Sequence, residues 1–236
     1  MHRLNGAYLR TERAGEHLTD LEGRIRNFID TKKDNIPFQF DTDTCQILIT
    51  PFKIKGDILL KIWPVLIGEI IYNLRSALDY LIFEMAFLDS GAEQQGTQFP
   101  IEHKPAGFNR RRNTLLKGLR VKHIASIEAL QPYKGTTWTH LLALLSNPDK
   151  HRHLTPIVNL AESVIKISAH APGELEAVSG HVYRTKNSAG DVLDMHVETD
   201  FALSVTFSDG TPVIETLKQL VLDVTQTLHL FDSEFK

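Results

Sequence analysis

The sequence predicts an α+β fold: a helical bundle with an N-terminal β-hairpin and a C-terminal antiparallel sheet closed by a final helix. Three observations carry that prediction. Apolar residues recur every three or four positions through most of residues 1–155, the period changes to two beyond Pro156, and helical spacing returns after Pro212. With 236 residues and 42% hydrophobic content, the chain has enough apolar material for one large core or two small ones. The expected division is a mainly helical part at 1–155, with the hairpin at about 36–55, and a strand-plus-helix part at 156–236 packed with the bundle as one unit.

Leu18, Leu21, Ile25 and Phe28 recur at spacings of three and four with polar residues between them, which predicts an amphipathic helix over roughly Leu4 to Asp30. Phe38 and Phe40 alternate with polar neighbours, Asp41 to Thr44 supplies turn chemistry, and Cys45, Ile47 and Ile49 alternate again, so a hairpin follows. Gly56-Asp57 offers a cap and Ser90-Gly91 a stop for a long central helix, with Pro64 inside it as a kink or as the start of its straight part. Gly91 to Pro105 reads as a polar loop interrupted by Phe99-Pro100-Ile101, an apolar plug expected to return to the core. A helix from about Asn113 to Leu130 carries the stripe Leu115, Leu119, Ile124 and Ile127 and stops at Gln131-Pro132. Trp138, Leu141, Leu142, Leu144 and Leu145 mark another, which ends near Asn147-Pro148 or one turn later. Alternating segments near Ile157 to Ser168, His181 to Lys186, Val192 to Glu198 and Phe201 to Phe207 predict four antiparallel strands, with turns at Pro172-Gly173, Asn187 to Gly190 and Asp209-Gly210. Thr211-Pro212 opens the last helix, whose buried stripe is Val213, Leu217, Leu220, Val221, Val224 and Leu228.

Charge is unevenly distributed. The total, 26 basic against 29 acidic residues, is −3, which does not select a polyanionic partner. Between His103 and Asn147, however, Lys104, Arg110, Arg111, Arg112, Lys117, Arg120, Lys122 and Lys134 face a single acid, Glu128, a local +7. From Ala171 onward eleven acids face four bases, a local −7. Cys45 is the only cysteine, so an internal disulfide is excluded and the residue reads as a small apolar member of a strand. The first residues lack the apolar core of a secretion signal. Ile58 to Leu88 contains Lys61, Pro64, Glu69, Arg75, Asp79 and Glu84, too many charges for a membrane span. A cytoplasmic protein with no membrane partner is expected.

The strongest candidate for a site lies in Gly68 to Leu81, where Glu69, Asn73, Arg75, Ser76 and Asp79 interrupt an otherwise apolar run. Burying even a neutral polar group costs about 2–7 kcal/mol unless it is paired. On a helix Glu69 neighbours Asn73, Asn73 neighbours Ser76, and Arg75 neighbours Asp79. An Arg75–Asp79 ion pair would orient the guanidinium and leave donors free for an anion. The alternative is that these groups only satisfy one another and fix helix register. A second cluster, Asp149, Lys150, His151, Arg152 and His153, stands at the expected end of a helix. It serves the helix dipole, or supplies His151 as a general acid or base, or offers His151 and His153 as a weak zinc pair. Arg110, Arg111 and Arg112 with Lys117, Arg120 and Lys122 form a solvated face or a track for a phosphate backbone. Glycine-rich phosphate loops and Gly-x-Ser-x-Gly elbows are missing, and no cofactor or metal is expected.

Four of these segments together resemble a widespread family of uncharacterised bacterial proteins. Its members carry Gly-Asp-x-x-His-Asn-Leu-Arg-Ser-Ala-Leu-Asp-His-Leu, then Phe-Pro-Ile, Leu-Gln-Pro-Tyr and Asp-Lys-His-Arg. Here Gly68 to Leu81, Phe99 to Ile101, Leu130 to Tyr133 and Asp149 to Arg152 stand in the same order. The core of the first motif is similar to the Arg-x4-His signature of the HEPN superfamily, helical bundles that include dimeric, metal-independent ribonucleases of toxin and antiviral systems. The resemblance implies a homodimer that binds a nucleotide, RNA or another small anion. It places Arg75 at the signature arginine and Tyr80 at its histidine, and a tyrosine with a reference pKa of about 10 is a poor base at neutral pH. A ribonuclease reading therefore takes Arg75 for the phosphorane charge and Tyr80 or His151 for the proton, while a binding module or a scaffold needs neither.

Overall fold

A computed structural model describes residues 3–32, 38–41, 46–49, 58–146, 156–170, 181–186 and 191–235. Among them six α-helices and five strands make the chain α+β. The helices are α1 (Asn5–Lys32), α2 (Ile58–Ser90), α3 (Pro105–Leu115), α4 (Val121–Ala129), α5 (Thr137–Ser146) and α6 (Val213–Phe231); the strands are β1 (Phe38–Asp41), β2 (Gln46–Ile49), β3 (Ile157–His170), β4 (His181–Lys186) and β5 (Val192–Thr206). Residues Asp149, Lys150, His151, Arg152 and His153 lie outside the described residues, as do Cys45, the expected cap at Gly56-Asp57 and the turns at Pro172-Gly173 and Asn187 to Gly190.

The chain divides into two compact units whose members interleave along the sequence, rather than following the expected order of bundle and then sheet. The first comprises Met1–Gly23, Ile58–Ile157 and Thr206–Lys236. Here α2 packs against α5 and α6, and α5 against α6. Its core is the apolar side of α2, with Trp63, Ile67, Ile70, Leu74, Leu78 and Leu81 fully buried, joined by Val213, Leu217, Val224 and Leu228 of α6. Each such side chain contributes about 1.5–3 kcal/mol relative to exposure, so the last helix belongs to the bundle because its stripe has nowhere better to go. The second unit comprises Arg24–Asp57 and Val158–Val205. It holds β1 paired antiparallel with β2, Phe38 opposite Ile49, and a three-stranded sheet in the order β3-β5-β4 with β4 antiparallel to β5.

Two expected elements are corrected. The helix expected from Asn113 to Leu130 is two, because Gly118 turns the chain in the left-handed region at φ +84°, where only glycine is at ease. A side chain there would also press on Gln94, 2.8 Å from its Cγ. The basic segment accordingly starts earlier, on a helix opened by Pro105. The last two expected strands are the single strand β5, since Thr199-Asp200 contains neither glycine nor proline to break the alternation. Leu203 and Val205 are buried on one face of it, as their period of two requires.

Candidate functional site

The polar seam of α2 is less buried than the sequence suggests. Glu69 is 49% exposed at its side chain and approaches His17 Nδ1 at 3.4 Å. Ser76 is half-buried, and only Asn73 of the five is buried. Asn73 donates to the Glu69 carbonyl one turn back at 2.8 Å and accepts from Arg10 of α1 at 3.4 Å. It serves helix packing. Arg75 and Asp79 face elsewhere: their closest approach, Nη2 to Oδ1, is 3.7 Å, an ion pair too long for a hydrogen bond.

Both residues instead grip the peptide groups of Phe99. The Phe99 N–H donates to Asp79 Oδ1 at 2.9 Å, and Arg75 Nη2 donates to the Phe99 carbonyl at 3.1 Å. A third side chain completes the grip from the other direction. The buried Gln131 amide donates to the Pro100 carbonyl at 2.9 Å and accepts the Glu102 N–H at 2.9 Å, while the Gln98 N–H bonds the Leu115 carbonyl at 3.1 Å. Residues 98–102 thus form a strap held by side chains, with Phe99 and Pro100 buried as the sequence predicts. Three of the sequence motifs, Gly68 to Leu81, Phe99 to Ile101 and Leu130 to Tyr133, meet in this one structure. Burial pushes the Asp79 carboxyl up against the pull of Arg75 and the Phe99 N–H, and burial lowers Arg75 against the pull of Asp79.

Beside the strap lies a cavity of about 550 Å³, lined by Arg75, Arg111, Tyr72, Gln98 and Ser146 among others. Arg75 Nη1 is shut off from solvent and has no hydrogen-bond partner. An unsatisfied buried donor costs about 1–3 kcal/mol, more when charged. Arg111 reaches the cavity from α3 and also pairs with Glu102 at 3.0 Å. The site therefore combines two guanidinium groups with hydroxyl and amide donors in a space that suits a small ligand. Tyr80 is not part of it. It lines a separate cavity of about 340 Å³ with Asp79, Phe83 and Thr97, and its ring lies against Gly6 and 5.7 Å from the Arg10 guanidinium.

Half of the six basic candidates are paired with carboxylates within the first unit. Arg120 Nε meets Asp89 at 2.6 Å and Lys122 meets Glu234 at 2.6 Å, so these two candidates for a phosphate track, like Arg111, are committed to carboxylates. Arg110, Arg112 and Lys117 are exposed. Sequence reasoning missed what lies between the two pairs: His123, buried, with Nδ1 2.6 Å from Asp89 and Nε2 3.2 Å from Glu234. The Asp89 side chain is fully buried. Burial pushes its carboxyl up, but the Arg120 N–H at 2.8 Å and the His123 and Arg120 side chains outweigh it and leave the group below the usual carboxylate range. Lys122 and His123 likewise lower Glu234. A second missed pair, His103 and His140, stands exposed with the two Nδ1 atoms 3.3 Å apart. No local pattern announces either group, since the partners are separated by 34 and 37 residues.

Among the described residues no group of three or more His, Cys, Asp or Glu side chains could hold a metal ion, and no helix is long and apolar enough to cross a membrane. Neither models of known protein families, nor curated proteins, nor solved structures offer a match to the chain.

Proposed function

We propose that the chain is a HEPN-like module that binds a small anion, up to a nucleotide in size, in the cavity beside Arg75. The observation that carries this reading is the Arg75 guanidinium. Its Nη2 is fixed by the Phe99 carbonyl, its Nη1 is buried without a partner, and the residue lines a cavity that Arg111 also lines. Buried charged donors are seldom left unpaired, and an absent ligand is one of the few reasons for it. A guanidinium held in one orientation binds a phosphate or carboxylate through two parallel bonds at little entropic cost. The exposed Tyr72 ring at the cavity offers a flat apolar surface to a base.

Thermal unfolding with inorganic phosphate, nucleoside monophosphates and a short oligoribonucleotide tests this. A ligand at a hundred times its dissociation constant adds about 2.7 kcal/mol. Arg75→Met should abolish that gain while the circular dichroism spectrum is unchanged. Stabilisation by none of the three, or undiminished stabilisation of Arg75→Met, refutes the binding role.

The bonds of Arg75 and Asp79 to Phe99 favour a second reading, in which the seam is a fastener and nothing more. In that case Arg75→Met loses stability and no ligand distinguishes it from the parent. The ribonuclease reading draws less support, because Tyr80 lines a different cavity from Arg75. Its remaining proton-transfer candidate is His151.

A further inference from the structure

The exposed histidine pair stands apart from the Arg75 cavity and has chemistry of its own. His103 precedes α3 and His140 occupies the first turn of α5. Their rings meet edge-on, with centroids 4.8 Å apart and planes at 85°. Although both side chains are exposed, the backbone beneath each is fixed by its neighbour in sequence. Glu102 gives its N–H to Gln131, and the buried Thr139 gives its hydroxyl to the carbonyls of Leu130 and Thr136 at 2.9 and 3.0 Å.

Two neutral imidazoles hold their Nδ1 atoms 3.3 Å apart when one donates its hydrogen to the lone pair of the other. That separation is also the bite of a tetrahedral metal. Zinc–imidazole bonds of about 2.0–2.1 Å at a tetrahedral angle put the two nitrogens about 3.3–3.4 Å apart. We propose that His103 and His140 form a surface bis-imidazole site that takes a divalent late transition metal, Zn2+ foremost, through Nδ1 of each ring, with water in the remaining positions. The metal replaces the shared hydrogen. The ring that carried hydrogen on Nδ1 takes it on Nε2 instead, so both ligands stay neutral and no proton is lost overall. Because both rings already lie at the surface, neither must be stripped of a hydrophobic environment, and the anchored backbones keep the cost of orienting them low.

Zn2+ titration of the full chain against a chromophoric chelator, with melting temperature followed in parallel, tests the site. One Zn2+ per chain should bind here. In His103→Ala and in His140→Ala its affinity should fall by at least the roughly tenfold that losing even a supporting group costs a metal site, with the circular dichroism spectrum unchanged. Replacing His151 and His153 together should leave the site intact, which separates it from the other closely spaced histidines. Unaltered Zn2+ affinity in either single variant, loss of the site in the His151/His153 double variant, or no binding at millimolar metal overturns the proposal.

Discussion

Asp79 and Asp89 each use a carboxylate on α2 to accept a backbone N–H from outside the helix, that of Phe99 at 2.9 Å and that of Arg120 at 2.8 Å. Their surroundings then diverge. Asp79 has that one bond and a guanidinium at 3.7 Å, and burial wins, so its carboxyl is pushed up. Asp89 adds Arg120 Nε and His123 Nδ1, both at 2.6 Å, and the donors win, so its carboxyl is held down. Burial alone does not fix the direction in which a carboxylate shifts; the number of donors that follow it into the interior does. By the same measure Asp89 is well supplied with donors, whereas Asp79 has one, and each cluster keeps one buried nitrogen without a hydrogen-bond partner, Arg75 Nη1 beside Asp79 and His123 Nε2 beside Asp89.

The largest effect of substitution therefore falls on Asp89, which holds more donors. Asp89→Ala leaves buried His123 without the partner of its Nδ1 and frees Arg120, and breaking a buried charged network in this way costs about 3–5 kcal/mol. Asp79→Ala removes a single acceptor and should cost about 1–3 kcal/mol. Urea unfolding of the two variants measures the difference, and equal losses would erase it.

The strap sharpens the comparison from its other end. Gln131→Leu leaves the Pro100 carbonyl and the Glu102 N–H without their partner, at a cost of about 1–3 kcal/mol. Combined with Asp79→Ala the loss should be smaller than the sum by about 0.5 kcal/mol or more, because the second substitution acts on a strap already loosened. Strict additivity would mean that the two grips act on independent segments.

The smallest effect is the dependence on pH, where the two carboxylates should act in opposite directions. Asp79 is raised in the folded state, so it binds its proton more tightly there. The advantage of the parent over Asp79→Asn is greatest below the unfolded carboxylate value of about 3.9 and declines as pH rises through the folded one. Asp89 is lowered, so the advantage over Asp89→Asn is complete above that unfolded value and is lost as pH falls through the folded one. Each slope is at most about 1.4 kcal/mol per pH unit. Unfolding free energies measured on the acid side of neutrality should show the opposed slopes, and parallel ones would contradict the assignment.

Periodicity made α1, α2, α5 and α6 legible, because each carries an apolar stripe whose residues are buried. The split between α3 and α4 was hidden by Leu115, Leu116 and Leu119, which keep the apolar spacing running across the turn; Gly118 was the available signal. Within the site, the Arg75–Asp79 spacing pointed to a pair, but their preferred partner is the backbone of Phe99, 20 or more residues away. Summing charge along the chain made the segment around Arg120 and Lys122 look free, when its counterions come from Asp89 and Glu234. Contacts of this kind are set by which helices pack together, and local sequence carries no record of them.

The strap also bears on how the molecule avoids unwanted association. An extended peptide normally secures its polar groups by lying beside another strand, and an outermost strand then presents an open ladder that invites a further chain. Residues 98–102 obtain hydrogen bonds from a guanidinium, a carboxylate, a carboxamide and the end of α3 instead. With the Phe99 N–H and carbonyl and the Pro100 carbonyl engaged by these terminal groups, that stretch offers no free ladder there to a further chain, and the hazard of polymerisation that an unpaired margin would bring is removed.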